Sequence, residues 1–146
     1  MSAVILAMSL SLFAAESPFS GTWKLNLDKS KMPPPLPKSD IAVVDADENG
    51  LKLTEDVIDD KGHPLKISYE AKFDGKDYPV TGDPSSDSVS YQRVNANTLK
   101  SQTKKGGKIA TDATIVVSKD GKITTVHYTD YSQTKPAKGT AVYDKQ

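Results

Sequence analysis

The stretch VVDADENGLKLTED, Val43 to Asp56, admits two readings that lead to different proteins. As chemistry it opens like a calcium loop. Asp45, Asp47 and Asn49 offer oxygen at alternate positions, Gly50 supplies the sharp bend, and Asp56 closes the run. As folding it is two strands joined by an Asn-Gly turn. The calcium reading wants a bidentate Glu in the closing position, where Asp56 stands with Glu55 one place early. It also wants helices on both sides. The flanks "IAVV" and "LKLTE" alternate like strands, and if Leu51 and Leu53 face a core the chain has no slack after Gly50 to wrap an ion. The hairpin is the stronger reading. Asp45, Asp47, Asn49 and Asp56 remain a weak calcium candidate, because turns prefer the same residues.

The rest of the chain follows the hairpin. In "LKISYEAKF", Leu65, Ile67, Tyr69, Ala71 and Phe73 share one face and Lys66, Ser68, Glu70 and Lys72 the other. "GTWKLNL" alternates likewise, and "KIATDATIVV" groups Ile109, Thr111, Ala113, Ile115 and Val117. Period two is the mark of a strand with one wet face. Asn49-Gly50, Lys61-Gly62, Asp74-Gly75, Gly106-Gly107 and Asp120-Gly121 punctuate these runs at intervals of roughly 10–15 residues. Gly and Asn there are expected to supply the positive φ of tight turns. No helical period persists. The expected fold is all-β, an antiparallel up-and-down barrel of about 8–10 strands. "MPPPLPKS" (32–39) and "YPVTGDPSSD" (78–87) break the pattern and read as connectors or rim loops.

Length and composition bound the function. The chain of 146 residues suits one domain. Lys plus Arg and Asp plus Glu number 19 each, so no positive excess awaits nucleic acid. Arg93 is the only Arg, and there is no Cys, which excludes disulfides, thiolate metal sites and a Cys nucleophile. Ser2 to Ala15 is uncharged and mostly apolar, too short to span a membrane comfortably, and polar chain begins at Glu16. Residues 1–15 therefore read as a signal peptide and 16–146 as a single exported domain, periplasmic or extracellular, with no stable membrane insertion after cleavage. A monomer is expected.

Reactive motifs are scarce. His63 lies in a turn, His127 lies in a strand whose faces the sequence leaves unassigned, and no nucleophile elbow or phosphate-binding loop occurs. An enzyme ranks last, and no cofactor is implied. The inward face is more informative. Alternation places Trp23, Leu25, Ile67, Tyr69, Phe73, Val89, Tyr91, Leu99, Ser101, Thr103, Thr111, Ala113 and Ile115 inside, apolar and aromatic groups mixed with hydroxyls. A small barrel either fills itself or keeps room for one ligand.

"FSGTWKLN" (19–26) resembles the Gly-x-Trp entry strand of the calycins, the superfamily of lipocalins and fatty-acid-binding proteins. Together with "KFDGKDYPVTGDP" and the closing "AVYDKQ", it resembles small exported bacterial proteins of lipocalin-like type with no assigned activity. The resemblance implies a barrel opened by Gly21 and Trp23, with Trp23 closing one end. The short, Pro-rich gap between Leu27 and Ile41 leaves no room for the helical lid of fatty-acid-binding proteins. The expected function is binding of a small apolar or amphipathic molecule against Trp23, Tyr69, Phe73 and Tyr91, with Arg93 or His127 orienting a head group. The alternative is a solid barrel that meets a protein or an envelope polymer through its loops.

Overall fold

A computed structural model describes residues 16–146; the signal peptide expected over residues 1–15 lies outside the described residues. Ten strands form one antiparallel sheet: β1 (Gly21–Leu25), β2 (Ser39–Ala46), β3 (Gly50–Ile58), β4 (Pro64–Lys72), β5 (Tyr78–Pro79), β6 (Ser88–Asn95), β7 (Thr98–Lys105), β8 (Lys108–Val117), β9 (Ile123–Asp130) and β10 (Ala137–Lys145). The order is β4-β3-β2-β1-β10-β9-β8-β7-β6-β5, so neighbours in sequence are neighbours in space and β10 returns beside β1. The architecture is the expected up-and-down barrel, nearly closed and compatible with a calycin-like fold. Among the described residues the one helical element is a 3-10 turn at Leu27–Lys29, started by Asn26, whose side chain accepts from the Lys29 N–H.

The remaining seam lies between β4 and the β5–β6 region. The stretch "YPVTGDPSSD" closes it, which makes this segment part of the wall. Tyr78 and Pro79 pair with Val89 and Ser88, and Thr81 then bridges Ser68 of β4 through two backbone hydrogen bonds of 2.9 Å. Gly82 permits this approach. Its φ is +85°, and a Cβ there would run into the Lys66 carbonyl oxygen.

The opening stretch is the β2–β3 hairpin, with Ala46 opposite Leu51 and Ala42 opposite Glu55. Its turn differs from the expectation, because neither Asn49 nor Gly50 has positive φ. The Asp47 carboxylate makes the turn instead, accepting from the Asn49 N–H at 2.7 Å and the Gly50 N–H at 3.0 Å. Gly50 is needed for space, since a Cβ would meet the Ala71 carbonyl of β4. The same Asp-capped turn recurs at Asp59, Asp74, Asp120 and Asp130.

One end of the barrel is packed solid. Phe19, Trp23, Ala46, Leu51, Ala71, Leu99 and Val117 form the core there, and the Trp23 indole N–H donates to the Phe19 carbonyl at 3.0 Å. Ser20 ties the entering chain to β2, donating to the Ala46 carbonyl and accepting from the Ala46 N–H. Ile109 departs from the face it was expected to share with Thr111, Ala113, Ile115 and Val117, and is 43% exposed. A bulge is the cause: Thr103 pairs with Thr111 but Lys104 with Ile109, so Ala110 is an extra residue and the alternation changes phase. Ala110 is buried in its place.

Candidate functional site

The interior is not filled. A cavity of about 220 Å³ lies inside the barrel, beside the packed end. Its apolar wall comes from alternate positions of six strands: Trp23, Ala42, Val44, Leu53, Val89, Ala113, Ile115 and Val126. Its polar wall is Glu55, Tyr69, Tyr91, Ser101, Thr103, Thr124 and Tyr143. No Lys, Arg or His lines it.

The polar groups are organised in two sets. The hydroxyls of Tyr69 and Tyr91 are 2.6 Å apart, with ring centroids at 6.1 Å. Burial holds both phenols neutral, pushing Tyr91 up to about 12 and Tyr69 well above the usual range. The second set is acidic. Tyr143 of β10 donates its hydroxyl to Asp40 Oδ2 at 2.8 Å. The Asp40 and Glu55 carboxyls are neighbours that share a hydrogen bond. Burial raises both above the ordinary carboxylate range, Glu55 the more so because Asp40 and then Asp83 add like charge. Glu55 keeps intermediate exposure because it faces the cavity, whereas Asp40 behind it is 7% exposed. The Thr124 hydroxyl is buried without a hydrogen-bond partner.

The sequence-derived site residues divide. Trp23, Tyr69 and Tyr91 line the cavity. Phe73 follows the last residue of β4 and packs edge-on against Tyr91 at 6.3 Å, behind the lining. Arg93 is exposed and sits over the Phe73 ring at 5.4 Å from its centroid, away from the cavity. His127 is exposed on the outer face between Thr114 and Thr140, with Nδ1 3.2 Å from Thr140 Oγ1, because its neighbours Thr124 and Val126 take the inward positions of β9. Neither Arg93 nor His127 lines the cavity. The calcium candidates are not gathered. Asp45 lies opposite Lys52, Asp47 caps its own turn, and Asp56 lies opposite Ile41, six residues along β3 from Gly50. Among the described residues no three His, Cys, Asp or Glu side chains converge on a point that could hold a metal ion.

Asp40, Glu55, Thr124 and Tyr143 are the functional candidates that the sequence reading missed. Extending the inward face of Leu51 and Leu53 by two residues reaches Glu55, and the hairpin register then brings Ala42 and Asp40 beside it.

No family model matches the chain, and no curated protein matches it.

Proposed function

We infer that the chain is a small-molecule-binding protein built on a lipocalin-like barrel. The observation that carries this reading is the cavity: a space of about 220 Å³ with aromatic and aliphatic walls and a few convergent polar groups. Small-molecule sites are built this way. Ligand burial against Trp23, Tyr69 and Tyr91 would contribute roughly 25 cal/mol per Å² of apolar surface. The volume favours one small molecule over a long acyl chain, since a dry cavity of about 150 Å³ holds one benzene ring. The reading also takes the protein to be exported and monomeric; the uncharged run Ser2–Ala15 supports export.

The test is thermal unfolding with small aromatic and aliphatic compounds, repeated on Ala113→Leu. Ala113 is buried and lines the cavity, so the added methylenes occupy ligand space. A compound that binds only the folded chain raises the midpoint by mass action. The parent should respond to at least one compound and the variant to none. A response that survives in the variant would move the ligand elsewhere.

A further inference from the structure

Resting on the ligand-binding reading above, we propose that the cavity selects a small organic cation, a primary amine on a single ring or short apolar body, whose ammonium is held by Glu55 with Asp40 behind it. The argument begins with the sign of the polar wall. Glu55 enters the cavity and Asp40 backs it, and the groups around them are Tyr69 from β4, Tyr91 from β6, Tyr143 from β10 and Asp83 from the seam. All are acidic or phenolic. With no basic side chain in the lining, an anionic head group such as a fatty-acid carboxylate has no counter-ion there.

Thr124 is an independent observation pointing to a ligand. It lines the cavity, is 8% exposed, and its hydroxyl has no partner. Buried polar atoms are nearly always hydrogen-bonded. Thr124 Oγ1 among the described residues is not. A hydroxyl oxygen accepts hydrogen bonds, and an ammonium has three N–H donors to give. An acid pair that shares one proton carries one negative charge, which one ammonium neutralises. A metal ion fits less well, because calcium takes six to eight oxygens and no third acidic side chain converges here. The apolar wall and the volume accommodate one ring with a short chain.

The experiment is calorimetric titration of the 146-residue chain with three near-isosteric probes: 2-phenylethylamine, 2-phenylethanol and phenylacetate. The amine should bind about ten- to a hundredfold more tightly than the alcohol, the range a hydrogen bond to a charged group supplies, and phenylacetate should be the weakest. The double variant Asp40→Asn with Glu55→Gln removes both carboxyls, and should bring amine and alcohol together while alcohol binding persists, which shows that the variant is folded. Equal affinity of amine and alcohol for the parent overturns the cation inference and leaves the binding cavity standing. If none of the three binds, the cavity reading falls and this inference with it.

Discussion

At the scale of single residues the fold places acids where a barrel of this size usually places hydrocarbon. Asp40 and Glu55 both bind protons more tightly folded than unfolded. The sign follows: the folded state holds the extra proton between the ordinary and the raised value, so the pair's contribution to stability is full below the ordinary carboxylate range and is lost as pH rises from there through the raised value. Glu55→Gln should therefore stabilise the chain by about 1–3 kcal/mol at neutral pH, the cost of an imperfectly satisfied buried group, and by much less near about pH 4. Urea unfolding of both proteins at the two pH values checks this; a variant less stable at neutral pH would contradict it. Asp59, Asp74, Asp120 and Asp144, lowered mainly by their hydrogen bonds, set the opposite, acid limb in both proteins. Tyr69→Phe deletes the 2.6 Å bond to Tyr91 and should cost about 1 kcal/mol in the same assay. Trp23, Tyr69 and Tyr91 were legible in the sequence because period two fixes a strand's faces. Asp40 was not, because in "SDIAVVDA" Ile41 and Val43 look like the buried set, yet they are 36% and 50% exposed while Ala42 lies inside. Hydrophobicity alone assigns that strand the wrong face.

At the scale of elements, hairpins were readable and irregularities were not. Period-two runs between Gly-rich turns gave β1, β4 and β8 almost to their ends. The bulge at Ala110 was hidden because an extra residue changes the phase of the alternation without changing its composition. The seam was hidden for another reason. "YPVTGDPSSD" has two prolines and reads as a loop, but Thr81 needs only one bridge to Ser68 to close the wall. Gly82→Ala tests that closure. Its positive φ and the Lys66 carbonyl beside it predict a loss of about 1–3 kcal/mol. Hydrogen exchange should quicken at the Ser68 and Thr81 amides while the β2–β3 hairpin keeps its protection. Uniform loss of protection across the sheet would show instead that the seam and the rest of the barrel open as one unit.

At the scale of the whole molecule, one end is packed and the middle is hollow, a division the sequence could not express. The inward set contained enough small and hydroxylated residues for either a solid or a hollow barrel, and the outcome depends on how ten strands curve around them. The hollow has a predicted consequence. Ala113→Leu fills it with side chain, and so should leave the midpoint unchanged or raise it, up to about 1 kcal/mol in stability, while abolishing ligand response. A fall of several kcal/mol would mean that the space beside Ala113 is already full.

The measurement that bears most directly on the cavity is a methyl chemical-shift map of the chain titrated with toluene, an uncharged probe indifferent to the acid pair. The account predicts saturable shifts at Ala42, Leu53, Ala113, Ile115 and Val126, which line the space, and none at the outward Val43 and Ile109. Shifts confined to outward methyls, or no saturable shifts at all, would contradict it.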